Sequence, residues 1–433
     1  MDIHVVQPNE TINSIATNYG VSVSYLIQYN ELSNPYNLVI GQTIVIAYPQ
    51  QTYTVKEGDY LEGIAKENGA TVMQLLRNNP FLSEREYIYP GETLIISYKT
   101  NENIMINGYT FPFIPMDTLK KTLPFLTYIS IFNYTATIGG DIITYFDDSD
   151  VIEMSKNYGT APLMLTTTLT AQGEPNPEIA FSIISNEEYQ DRHINKILSI
   201  LKEKGYYGVN MTFGNINSSN INMYNSFITK AANRIKNEGY IFFVTINPTF
   251  YSNEEGFRFV EVDYSTIGQV VDSLAFTNFI WGKNNEPPGP ISSFTDYQQL
   301  LDFTINYVSS DKIRIGIPVI GYDWTLPYVA GSSAANALTL DSALNLARDN
   351  DSIIEFDVIS QTPYFQYAQK YLDSEVEHIV WFIDARSVNA KLVLYNKYKV
   401  SGLGLWNIMV FYAQIWLVIN SQYNIVKVIP DNL

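Results

Sequence analysis

Residues 4–30 recur at 53–79 with a constant offset of 49, which confines the start of the chain to two copies of one small unit. Val6 pairs with Val55, Ile15-Ala16 with Ile64-Ala65, Gly20 with Gly69, Val23 with Val72 and Leu26 with Leu75. One inserted residue later, Gly41-Gln-Thr-Ile-Val-Ile46 matches Gly91-Glu-Thr-Leu-Ile-Ile96. Each copy reads strand, helix, helix, strand. Thr11 opens a helix-period run through Ile12, Ile15 and Ala16, Gly20 stops it, Ser22 can cap the next helix, and Asn30 or Asn79 ends that one. The units span 1–49 and 50–98.

The rest of the chain, 104–433, alternates apolar strand-like runs with stretches long enough for helices. The runs lie near 104–111, 125–134, 161–169, 206–213, 240–247, 273–279, 313–320 and 402–406. Eight such units predict an α/β fold, a (β/α)8 TIM barrel. Between the last two runs, 321–385 is too long for one helix and carries strand-like stretches at 353–359 and 378–383. Residues 99–103 read as a short polar hinge.

At the C-terminal end of a barrel strand, side chains face the active-site mouth. In Gly205-Tyr-Tyr-Gly-Val-Asn-Met-Thr-Phe-Gly214 those positions are Asn210, Thr212 and Gly214. The segment resembles the fourth strand of family-18 glycoside hydrolases, whose signature is Asp-x-x-Asp-x-Asp-x-Glu. Here the signature falls on Tyr207, Asn210, Thr212 and Gly214, so every carboxylate is missing. Further matches run in order. Ile313 to Trp324 resembles the seventh strand and loop of the spore-cortex-lytic branch of that family, His378 to Ser387 its late insertion strand, and Gly402-Leu-Gly-Leu-Trp406 its eighth strand. A Met-Thr-Tyr-Glu-Trp-Gly stretch of that branch stands here as Thr277-Asn-Phe-Ile-Trp-Gly282, and Ile383 replaces another Glu.

The resemblance implies a small α+β insertion at about 321–385 forming one wall of a cleft, with Tyr109, Tyr322, Trp324 and Trp406 where the family lines its sugar subsites. In that family the Glu protonates the glycosidic oxygen, while the last Asp holds the substrate's acetamido group as nucleophile. A positioned acid is worth about 10²- to 10⁴-fold in rate. The expectation is therefore a glycosidase fold with no catalytic residues, a non-catalytic glycan-binding protein of the spore envelope. The alternative is an active N-acetylglucosaminidase drawing on Asp147, Asp148, Glu174 or Glu286.

The repeated unit resembles the LysM module, most closely in the Tyr-Thr-Val-Lys-Glu-Gly-Asp opening of its second copy. That likeness implies binding of peptidoglycan or another N-acetylglucosamine polymer between two loops of each copy. The candidate contacts are Asn9, Glu10, Thr11 and Asn30 in the first copy, and Gly58, Asp59, Tyr60, Asn79 and Pro80 in the second. No cofactor or metal is needed.

With a net charge of −18 and only 26 Lys and Arg, long-range repulsion argues against nucleic acid or an anionic membrane as partner. The chain has no cysteine, so thiol chemistry and disulfides are excluded. Its three histidines, His4, His193 and His378, fall on separate elements and read as structural or surface residues. Residues 406–419 are the longest apolar stretch, too short to span a bilayer and interrupted by Asn407 and Gln414. The N-terminus lacks a basic start and apolar core, so cytoplasmic synthesis without a signal peptide is expected; the resemblance to the spore-cortex-lytic branch implies deposition on the spore. A surface rich in tyrosine, 33 residues, and poor in charge favours self-association.

Overall fold

Eight parallel strands close into a barrel: β1 (Glu102–Thr110), β2 (Tyr128–Ala136), β3 (Ala161–Thr167), β4 (Gly208–Thr212), β5 (Ile241–Ile246), β6 (Ser273–Phe276), β7 (Ile313–Pro318) and β8 (Gly402–Trp406). Each pairs in parallel with the next, and β8 returns to β1 with Trp406 opposite Tyr109. This computed structural model describes all residues except 86, 170–175, 214–216, 218, 249, 254–255, 260, 278–285, 372–373 and 433; at 250–253, 256–259, 371 and 374 only the backbone is described. The strands are buried on both faces, which is why they read as continuous apolar runs. The second strand starts later than expected because Leu123–Phe125, with Pro124 inside, forms a 3-10 turn.

The stretch between β7 and β8 folds into a five-stranded antiparallel sheet with helix Leu340–Asp349. Its strands are Gly321–Thr325, Asn336–Leu338, Glu355–Asp357, Thr362–Tyr371 and Ser374–Trp381. The strand Thr362–Tyr371 was not anticipated; it pairs with Ser374–Trp381 as a long hairpin.

Each N-terminal unit forms the expected strand-helix-helix-strand order. In the first, Thr11 and Ser14 cap helix Ile12–Tyr19 reciprocally, Gly20 ends it at φ 64°, and Ser22 caps Val23–Asn30. Residues 99–103 do not act as a free hinge. Tyr29, Val39, Val45 and Ala47 of the first unit and Ile95 and Tyr98 of the second belong to the same hydrophobic core as the barrel. Lys121, on the barrel helix Met116–Thr122, pairs with Glu31 of the first unit at 2.7 Å and with Glu84 of the second.

Candidate active site at the barrel mouth

The lumen is filled in layers. At the bottom the buried Arg314 guanidinium lies over the rings of Tyr128 and Phe243 and donates to Ser273 Oγ at 2.8 Å. One layer up, Asn210 donates to Ser130 Oγ at 3.0 Å and accepts from Thr245 Oγ1 at 2.8 Å. Because Thr245 spends its proton on Asn210, Tyr109 donates to Thr245 at 2.9 Å. Burial pushes the Tyr109 phenol up, so it stays a neutral donor. Gly404 makes room for this ring, since a Cβ there would lie 3.1 Å from it.

The top layer carries the mouth. Trp406 packs 5.7 Å from Tyr109, 5.9 Å from Phe111 and 6.2 Å from Phe132. Thr212 follows Asn210 by two residues on β4 and so faces the lumen, level with Thr245 and Thr167. Thr277 extends the ladder by donating its N–H to Ile246, opposite in facing to the outward ring of Phe276. The hydroxyls of Thr212 and Thr277 are buried and have no hydrogen-bond partner among the described residues.

The four cleft aromatics expected from sequence do not form one surface. Tyr109 and Trp406 lie together, but Tyr109 is sealed beneath the mouth. Tyr322 and Trp324 pack in a separate cluster with Ile291 and Ala335 on the insertion sheet. Trp324 is buried too, and its indole N–H donates to the Glu286 carbonyl at 2.9 Å. Sequence reading missed Phe111 and Phe113. The alternation Tyr109-x-Phe111-x-Phe113 at the end of β1 was the available signal.

Of the four substitute acids, two are struts. Asp148 is completely buried, accepts from Tyr134 and Tyr206 at 2.5 and 2.6 Å, and pairs with Lys204 at 3.2 Å. Asp147 is held by the Ser149 hydroxyl and N–H and by Lys204, which keep its carboxyl down at about 2 and therefore ionised. Glu174 and the motif position Gly214 lie outside the described residues. Glu286 is exposed and close enough to Tyr322 that its charge, after burial, helps push that phenol up.

In the two N-terminal units the candidate glycan contacts split. Asn9 and Gly58 occupy equivalent left-handed turn positions, at φ 67° and 87°. Glu10 braces the first turn by accepting from Gln7 N–H and His4, while Asp59 does so through Lys56 N–H and Tyr53. Thr11 is spent on its helix cap, whereas Tyr60, 63% exposed, folds its ring over Gly63. Asn30 and Asn79 are corrected to internal struts. Each is buried and ties the second helix to the last strand, through Val45 in one copy and Ile95 in the other. Pro80 starts a 3-10 helix and lines a small gap facing Trp416 of the barrel.

Comparison with known proteins follows this division of the chain. The LysM domain profile matches residues 4–47 and 53–97, and the Glycosyl hydrolases family 18 profile matches residues 165–409. The Cortical fragment-lytic enzyme of Bacillus subtilis (strain 168) is 28% identical over 434 residues, 99% of each chain. That of Bacillus anthracis is 26% identical over 433 residues, again 99% of each. The crystal structure of the spore cortex-lytic enzyme SleL of Bacillus megaterium QM B1551 superposes with a TM-score of 0.79 at 27% identity, covering 98% of both chains. These relatives overturn the expectation of an inactive barrel, because proteins named for lysis align from end to end, N-terminal units and barrel together. The missing motif carboxylates do not by themselves establish inactivity. The chain belongs to glycosyl hydrolases family 18 and carries two LysM domains ahead of its TIM barrel.

Proposed function

We propose that the chain is a peptidoglycan glycosidase acting on N-acetylglucosamine-containing glycan of the spore cortex, with its acid supplied from outside the fourth-strand motif. The observation that carries this reading is the end-to-end alignment with cortical fragment-lytic enzymes. Glu286 is the acid we assign, since among the described substitutes it alone stands beside the insertion wall. Its proton goes to the leaving glycosidic oxygen as the bond to the anomeric carbon breaks, and the substrate's acetamido oxygen attacks that carbon. Water then opens the intermediate and returns a proton to Glu286.

The acetamido group is held by neutral hydroxyls, Thr212 foremost, where the family uses a carboxylate. A neutral hydroxyl oxygen accepting the acetamido N–H stabilises the developing positive charge less than a carboxylate does, so a slower chemical step follows. The LysM pair holds the glycan through its exposed first loops, around Asn9 and around Gly58 to Tyr60. Exposed tyrosines of the modules, Tyr36, Tyr60, Tyr87 and Tyr89, support contact with insoluble glycan and with further copies of the chain.

The test is incubation of the purified chain with cortical fragments, followed by mass analysis of the products. New N-acetylglucosamine reducing ends support the reading, and an unchanged fragment profile at high enzyme concentration refutes it.

A further inference from the structure

Four rings leave the barrel mouth in file. Trp406 lies 5.9 Å from Phe111, Phe111 is 5.2 Å from Phe113 with planes only 15° apart, and Phe113 is 5.2 Å from Phe146. Exposure rises along the file, from 7% at Trp406 through half-buried Phe111 to 55% at Phe113 and 53% at Phe146.

The outer rings are held in place. Pro112 fixes the backbone between the first two phenylalanines. The Asn133 amide donates to the Phe146 carbonyl at 2.8 Å, and Asn133 Oδ1 accepts from the Phe146 N–H at 3.2 Å. Ile143 and Tyr145, on the same connection after β2, are exposed as well.

The file starts at the barrel lumen, into which Thr212 and Thr277 also face from β4 and the end of β6, their hydroxyls without a partner among the described residues. Buried polar groups normally have partners, so two such hydroxyls facing one mouth favour a ligand with polar edges there. A ligand with apolar faces and hydroxyl or amide edges satisfies both ends. A protein surface fits the rings but cannot reach the buried hydroxyls.

We propose that Phe111, Phe113 and Phe146 form a stacking rail that carries an N-acetylated glycan strand away from Trp406 over the rim between β1 and β2, so that long strands are preferred to short fragments. The inference rests on the hydrolytic reading of the mouth given above. It adds the direction in which substrate lies and the preference for length.

The experiment measures kcat/KM for peptidoglycan glycan oligomers of graded length, using the full chain and its Phe113→Ala/Phe146→Ala variant. A Phe113→Tyr/Phe146→Tyr variant controls for folding and should keep the length preference. Each aromatic contact contributes about 2- to 10-fold, so the ratio of long-substrate to short-substrate kcat/KM should fall about tenfold in the alanine variant, through KM. An unchanged ratio overturns the rail while leaving the glycosidase reading intact. Cleavage of no oligomer by the wild-type chain defeats that reading instead, and the rail is then judged by equilibrium binding of the same oligomers. Loss of concentration-dependent self-association in the alanine variant, with length preference retained, also overturns the rail and assigns the patch to contact between copies.

Discussion

The hydroxyl of Tyr29 in the first LysM domain donates to Oδ1 of Asn79 in the second at 2.8 Å, and both residues are buried. Asn79 also binds Leu75 and Ile95 backbone groups, so it is a joint between modules. Its replacement by Ala leaves buried amide groups of Ile95 unpaired. Thermal or denaturant unfolding of Asn79→Ala should show a loss of about 2–4 kcal/mol. Tyr60→Ala should leave the unfolding midpoint in place and reduce sedimentation with peptidoglycan. The opposite pattern would return Asn79 to the ligand surface.

The first module is clamped to the barrel insertion at Gly41. Its φ is 87°, and a Cβ there would lie 2.0 Å from the Ile354 carbonyl oxygen. Around it Ile354 N–H donates to Ile40, Arg348 to Asn37, and Gln414 to Thr43. Gly41→Ala should cost about 3 kcal/mol and split calorimetric unfolding into two transitions, the first being release of the module. A single unshifted transition would show that the clamp contributes nothing.

Much of this architecture is legible in the sequence, and the boundary of legibility has a physical cause. Strands buried on both faces betray themselves as apolar runs, and a repeated cap such as Thr11 or Gly20 fixes helix ends locally. Docking depends on surfaces far apart in the chain. Nothing near Lys121 announces that it joins Glu31 and Glu84. Asn30 and Asn79 look like ligand contacts because asparagine favours loops, yet each ends up bridging a helix and a strand. The same limit applies to aromatics at strand ends. Tyr109 and Trp324 are core, while Phe113 and Phe146, less conspicuous in the sequence, are the exposed rings.

His193 is buried among Phe213 and Phe227, and burial lowers its pKa to about 4. The unfolded chain binds this proton at about pH 6.5, whereas the folded chain resists it until pH falls to about 4. Stability should therefore decline as pH falls through this window, by up to about 1.4 kcal/mol per pH unit for one proton. His193→Gln keeps a donor for the Gly140 carbonyl and titrates nothing, so it should flatten this part of the profile. An identical slope in wild type and variant would place the acid sensitivity elsewhere.

Asp148 and Glu286 separate strut from acid. Asp148→Asn disturbs a buried carboxylate that receives two phenols and a lysine. It should lower stability by about 2–4 kcal/mol; an unchanged unfolding midpoint would show that it is no strut.

The assignment of Glu286 is tested most directly by the initial rate of reducing-end release from cortical fragments, measured side by side for wild type and Glu286→Gln at equal folded concentration. The account predicts steady release by the wild type and a rate about 10²- to 10⁴-fold lower in the variant, with sedimentation on peptidoglycan unchanged. Equal rates in the two proteins, or no release by either, would contradict it.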